Sequence, residues 1–273
     1  MPMIGTSHPE LGSRTVTGTN TTFTGLKAGT TYKFTVVAKN ADGKAAKSVA
    51  VTAKTVKYTA VKSLKKTATG LHIVSLTWKE PAKVKDNPTT GYTIKVFEIN
   101  GKIATDVTDQ VQVGYIDDNG TGSGKGTASV TITGLTAKTK YRIEVQAVAG
   151  GLGGVTSAIA KVSVTTLNPA KYPAVSGFKA TVDKNTNAVT LSWNASKVPD
   201  TTGYEVEIRD ADGGESVFTV IPGVDGVTVS DKGKITLLPI TDLDVGKYTI
   251  LVRAVTTEGI KSVKDAKKNI TLK

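Results

Sequence analysis

The 273-residue chain has no cysteine, two histidines and only 5% aromatic residues. Without cysteine there is no disulfide scaffold, no thiol nucleophile and no cysteine zinc site. No segment approaches the roughly 20 consecutive apolar residues that a membrane-spanning helix needs, so membrane insertion is not expected. The first ten residues have neither the basic start nor the apolar run of a secretion signal. We therefore expect a piece of a longer exported protein, located outside the cell or on its surface.

A strand pattern recurs about every 110 residues. Leu26 precedes Tyr32, Leu135 precedes Tyr141, and Leu243 precedes Tyr248, and each tyrosine opens a run that alternates in polarity. The tyrosines are 109 and 107 positions apart. A period this long indicates an array of whole small domains.

Two earlier strands in each of the last two repeats complete the pattern. Val-x-Leu-x-Trp ends at Trp78 and at Trp193, and a second alternating run begins near Tyr92 and near Tyr204. Such alternation places the apolar residues on one face of a half-buried strand. Long helical patterns are absent. The sequence predicts an all-β protein with a buried tryptophan and tyrosine in each repeat.

This ordering resembles the fibronectin type III domain, in particular those of bacterial or archaeal surface and secreted proteins. The resemblance implies tandem immunoglobulin-like antiparallel β-sandwiches. It also implies that the tyrosine after each leucine forms a tyrosine corner, in which its hydroxyl bonds back to the chain. The third repeat has four residues between Leu243 and Tyr248, where the other repeats have five, so its turn is expected to differ.

The repeat divides the chain into three modules: residues 1–57, residues 58–167 and residues 168–273. The first module is expected to be partial, with only the C-terminal strands and the Leu26 and Tyr32 corner. Three or four strands cannot cover their own apolar face. Either the chain is truncated there, or a strand from another subunit completes the module and the chain self-associates through residues 1–57.

A shorter repeat marks the junctions between modules. Lys57–Val61 matches Lys171–Val175, and both linkers lack a Gly/Ser run. We predict that Tyr58 and Tyr172 pack at inter-module contacts and limit bending. The alternative is that each tyrosine only begins the first strand of its own module.

The sequence shows no constellation for catalysis, for a cofactor or for a metal. His8 lies near the terminus, and His72 shares the inward alternation of the Trp78 strand. Glu205 and Glu207 are about 7 Å apart at the usual rise of a strand, a separation that overlaps that of inverting glycosidases. The pair is expected on an outward face beside Arg209, as part of a solvated stripe. We therefore predict a protein that is not an enzyme.

Partner contacts are predicted from exposure and charge. Phe97 falls on the outward face of the Tyr92 strand and is the candidate contact for a protein or glycan. Lys and Arg outnumber Asp and Glu by 8 to 2 in residues 1–57 and by 13 to 8 in residues 58–167, but by only 14 to 13 in residues 168–273. Because the lysines are scattered, nucleic-acid binding is not expected, although polyanion binding by the first two modules stays open.

The predicted function is a non-catalytic extracellular spacer or adhesion array within a larger exported protein. Besides polyanion binding, two alternatives to this function remain. One is an accessory glycan-binding region of a secreted polysaccharide-degrading enzyme, and the other is a self-assembling surface-layer or filament subunit completed by strand addition.

Overall fold

The structure is a computed structural model that describes residues 2–6, 13–82, 88–114, 116–119, 123–150, 155–224 and 226–273. Within these ranges the regular structure is almost entirely antiparallel strand, with short 3-10 turns at Thr108–Gln110 and Pro169–Lys171. None of the helical turns in the described part of the chain is long and apolar enough to cross a membrane. His8 lies outside the described residues.

The first module contains one sheet. Its strands are β1 (Pro2–Thr6), β2 (Ser13–Thr15), β3 (Thr31–Ala38) and β4 (Val49–Lys54), in the order β2-β1-β3-β4. Residues 21–26 form no strand. Tyr32 is 5% exposed, whereas Val49 and Val51 of β4 are more than half exposed. The described residues of this sheet therefore leave apolar side chains open to solvent.

The second module is a sandwich of two sheets. One sheet has the order β10-β11-β6-β5, with β9 pairing β11, and the other has the order β13-β12-β7-β8. The strands are β5 (Lys62–Thr69), β6 (Val74–Lys79), β7 (Thr89–Asn100), β8 (Ile103–Asp106), β9 (Gln112–Val113), β10 (Asp117–Asn119), β11 (Thr127–Thr133), β12 (Lys140–Ala149) and β13 (Ala160–Thr165).

The third module repeats this arrangement. Its sheets have the orders β14-β15-β19-β18 and β17-β16-β20-β21. The strands are β14 (Ser176–Val182), β15 (Val189–Asn194), β16 (Thr201–Asp210), β17 (Glu215–Val220), β18 (Val227–Val229), β19 (Lys234–Leu237), β20 (Gly246–Thr256) and β21 (Ala266–Leu272).

A tryptophan–tyrosine pair lies at the centre of each sandwich. Trp78 and Trp193 are at most 1% exposed. Trp78 meets Tyr92 edge to face with ring centroids 5.1 Å apart, and Trp193 meets Tyr204 in the same way at 5.3 Å. Each pair joins the two sheets, because the tryptophan comes from one sheet and the tyrosine from the other. Such pairs add about 0.5–1.5 kcal/mol beyond the area that they bury.

The tyrosine corners come in two forms. Tyr32 and Tyr141 accept hydrogen bonds from the amides of Lys27 and Thr136, at 2.8 and 2.9 Å. Tyr248 instead donates to the carbonyl of Asp244 at 2.9 Å. The missing residue between Leu243 and Tyr248 thus changes the direction of the hydrogen bond while the corner remains.

The corner leucines differ in burial. Leu135 is 1% exposed, whereas Leu243 and Tyr248 are half-buried against the core of the third module. Leu26 is also half-buried.

We predict that Tyr141→Phe costs more stability than Tyr248→Phe. Tyr141 is buried, so its loss leaves an amide without its acceptor and costs about 1–2 kcal/mol. Tyr248 is only half-buried, so water replaces its hydrogen bond to Asp244 at a cost below about 1 kcal/mol. Urea unfolding followed by tryptophan fluorescence measures both losses of stability. In a Trp193→Phe background Trp78 is the fluorescent reporter of the second module, and in a Trp78→Phe background Trp193 is the reporter of the third. Equal losses would contradict the distinction.

Candidate functional site at the joint between the second and third modules

The turn between β5 and β6 points from the second module toward the third. Within the turn, the Gly70 amide donates to the Ile73 carbonyl at 2.7 Å, and the Gly70 carbonyl accepts from the Leu167 amide at 2.7 Å. Leu167 leads directly into the linker between the modules. The turn and the start of the linker are therefore fixed to each other.

Leu71, at the tip of this turn, is fully buried although it lies outside the core of its own module. It belongs to the apolar cluster that surrounds Trp193 in the third module, and Ala137 and Leu167 pack against the same cluster. Burying one leucine side chain contributes about 1.5–3 kcal/mol. The core of the third module thus includes a side chain from the second.

Asp200 fixes the backbone of the turn from the other side of the joint. Asp200 is the residue immediately before β16. Its carboxylate accepts hydrogen bonds from the backbone amides of Leu71 and His72, the second at 3.0 Å. Asp200 is only 8% exposed. Hydrogen bonds to an ionised acceptor are roughly twice as strong as neutral ones. A Cβ at Gly70 would overlap this carboxylate, so the approach requires glycine there.

His72 lies in the same joint, and its inward placement beside Trp78 was predicted wrongly. β6 begins only at Val74, and the His72 ring turns toward the third module. Its Nδ1 lies 2.7 Å from the Leu135 carbonyl. Its Nε2 lies 3.2 Å from Glu258 Oε2, without the alignment of a full hydrogen bond. His72 and Glu258 line an open cleft of about 220 Å³, together with Asp200 and several threonines.

The two junction tyrosines differ in their surroundings. Tyr172 is 1% exposed, belongs to the same cluster as Leu71, and exchanges a 2.7 Å hydrogen bond with Thr201, the neighbour of Asp200. Tyr58 lies in the core of the second module and bonds to Thr89 at 2.5 Å. Burial raises the pKa of both hydroxyls. A role for either tyrosine in limiting bending stays a prediction.

Phe97, the predicted partner contact, is half-buried on the outer face of β7. The Arg142 guanidinium lies 4.5 Å from the centre of its ring, at cation–π distance. Arg142 also pairs with Glu144 at 3.0 Å. Arg142 therefore covers part of the ring.

Glu205 and Glu207 do not form a solvated stripe, and that expectation was wrong. Glu207 is 4% exposed, and Arg253 of β20 donates to both carboxylates, at 2.9 Å to Glu205 and 2.8 Å to Glu207. The network continues through Asp265, Lys261 and Arg209. A cross-strand arginine thus takes the carboxylates out of solvent on the outer face of the sheet.

The electrostatics of this network oppose acid catalysis by the pair. A hydrogen bond from Lys261 and a further one from Arg253 lower the pKa of Glu205. Burial alone would raise the pKa of Glu207, but hydrogen bonds from Arg209 and Arg253 outweigh it and lower that pKa. A glycosidase needs one carboxyl whose pKa is raised. Neither glutamate meets that condition.

Residues 210–215, at the end of β16, form a turn that the side chain of Asp210 closes. The Asp210 carboxylate accepts from the amides of Asp212 at 2.9 Å and Gly214 at 2.7 Å. Across the described ranges, no group of three or more His, Asp or Glu side chains is placed to hold a metal ion.

The sequence model of the fibronectin type III domain family matches residues 6–54, 59–163 and 173–266. The chain belongs to the fibronectin type III family. Modules of this family are generally non-catalytic.

One curated relative is Chitinase A1 of Niallia circulans, 35% identical over 174 residues. The match spans 60% of this chain but only 21% of that relative. Among solved structures, a two-domain fibronectin type III segment of chicken tenascin is 19% identical, with a TM-score of 0.31. That comparison covers 77% of this chain and 98% of the tenascin segment.

We predict that Leu71→Ala destabilises the third module although Leu71 lies in the second. Removing a buried leucine side chain costs about 2–5 kcal/mol. Trp193 fluorescence during urea unfolding, in the Trp78→Phe background, reads this loss from the third module alone.

Leu238→Ala provides the matched control, because Leu238 of the third module is 61% exposed and its loss should leave the transition unchanged. A normal Trp193 transition in Leu71→Ala would show that the leucine contributes nothing across the joint.

Proposed function

We propose that this fibronectin type III array is a non-catalytic extracellular spacer whose second and third modules act as one stiff unit. The observation that carries the proposal is Leu71, a fully buried residue of the second module that packs in the core of the third. Two modules that share a core cannot bend independently unless that side chain leaves it. The unit therefore sets the distance between whatever flanks it.

The linker supports the same proposal. Pro169–Lys171 form a 3-10 turn, and Asn168 Oδ1 accepts from the Ala170 amide at 3.0 Å. The Lys138 amide donates to the Leu167 carbonyl at 3.0 Å. A linker with this many local bonds has little of the freedom of a Gly/Ser tether.

The edges of the sheets favour a unit that stays separate from its neighbours. Exposed lysines occupy the edge strand β5 at Lys62, Lys65 and Lys66, and the edge strand β21 at Lys267 and Lys268. Lysines on an edge strand discourage pairing with another chain. These strands are therefore poor templates for self-assembly, which suits a spacer.

We expect a single narrow distance between the second and third modules in solution. The chain has no cysteine, so spin labels at Lys102→Cys and Lys232→Cys, both exposed turn positions, report only this distance by double electron–electron resonance. Asp200→Ala should broaden the distribution, because the Leu71 and His72 amides lose their acceptor.

Pro88→Ala is the matched control and should leave the distance unchanged. Pro88 precedes Tyr92 by four residues, as Asp200 precedes Tyr204, but it carries no side-chain acceptor. A broad distribution in the unaltered chain would contradict the spacer proposal.

A second candidate function is an accessory glycan contact beside a catalytic domain. It is favoured by the 35% identity to a protein named Chitinase A1 and by the half-buried Phe97 ring on an outer sheet face. Glycan-binding surfaces use planar aromatic rings, and Arg142 lies over part of this one. Phe97 is the residue that we propose touches the sugar.

This candidate predicts that insoluble chitin retains the full chain and that Phe97→Ala lowers retention severalfold. Phe23→Ala, which removes a half-buried phenylalanine of the first module, should not. If the two variants and the unaltered chain elute alike, Phe97 makes no glycan contact.

A further inference from the structure

His72 has a fixed tautomer because of where its ring is held. Nδ1 lies 2.7 Å from the Leu135 carbonyl, within the second module. A carbonyl oxygen only accepts, so Nδ1 must carry the hydrogen of this bond. Nε2 then carries a hydrogen only when the ring is doubly protonated.

Nε2 faces a carboxylate of the other module. Glu258, in the turn after β20, places Oε2 3.2 Å from it. When the ring is neutral, the lone pairs of Nε2 and Oε2 face each other. When the ring is protonated, the same contact becomes an ion pair between an imidazolium and a carboxylate. The sign of the interaction across the joint therefore depends on one proton.

The surroundings of the ring contain no competing cation among the residues that line the cleft. Besides His72, the charged side chains there are Glu258 and Asp200, and Asp200 accepts from the His72 amide at 3.0 Å. The other lining residues are threonines, a proline, a glycine and Ile73, none of which is charged. Among the residues that line the cleft, His72 is thus the one that can carry a positive charge, and Glu258 is the carboxylate that its Nε2 faces.

We propose that protonation of His72 tightens the joint between the second and third modules. Histidine is the side chain that ordinarily changes its charge between about pH 5 and 8. The two-module unit is then stiffer in mildly acidic surroundings and looser in neutral or alkaline ones. This inference rests on the stiff joint proposed above and adds its regulation by pH.

Hydrogen exchange of two amides reads the joint directly. The Leu71 and His72 amides donate to Asp200, so they exchange only when the joint opens. We expect their protection in the full chain, corrected for intrinsic exchange, to fall about twofold to fivefold when the ion pair of His72 is lost, the range for a partly exposed pair. The measurement compares about pH 5.5 with about pH 7.5, on either side of the usual histidine transition.

Three comparisons isolate the effect. The Val206 amide, in a central strand of the third module and not among the residues that line the cleft, should show no matching change. Glu258→Gln should abolish the pH dependence, since the amide carries no charge. Asp242→Asn, which neutralises an exposed carboxylate that does not line the cleft, should keep it.

The outcomes separate this inference from the spacer proposal. Protection that is equal at both pH values, or a pH dependence that survives in Glu258→Gln, overturns the role of His72 and leaves the stiff joint standing. Absence of protection at both pH values shows that the joint is not formed, and it overturns both proposals.

Discussion

The structure depends on one constraint at the joint: the amides of Leu71 and His72 need an acceptor that their own module does not provide. Buried amides without a partner cost free energy comparable to a lost hydrogen bond. Asp200 of the third module supplies both bonds. With the backbone fixed in this way, the Leu71 side chain enters the core around Trp193. The polar and apolar parts of the joint therefore form together.

The array need not be uniform along its length. The second and third modules share the central Trp–Tyr pair and the bond from a linker tyrosine to a threonine, Tyr58 with Thr89 and Tyr172 with Thr201. They differ at the position just before that threonine, where Asp200 corresponds to Pro88. The second module thus lacks, at that position, the carboxylate through which the third module binds the turn of its neighbour. The contact through Asp200 therefore belongs to one junction and is not built into every module.

The fold was predictable because it follows from local alternation. Val74, Leu76 and Trp78 are buried on β6, and the spacing from leucine to tyrosine indicated that the corner at Tyr248 would differ.

The site was less predictable, because it depends on contacts between residues about 130 positions apart. Alternation placed His72 inward, but it could not show that the turn before β6 leaves its module and that Leu71 enters another core. The buried state of Glu207 arises from Arg253, which lies 46 positions away and pairs across the sheet. One signal was available in the sequence: the change from Pro88 to Asp200 at equivalent positions of two repeats.

Residual dipolar couplings of the backbone amides in the second and third modules test the central claim most directly. If the two modules share a core through Leu71, one alignment tensor fits the couplings of both. Two tensors of different magnitude or orientation would show that the modules tumble independently, and they would contradict the account.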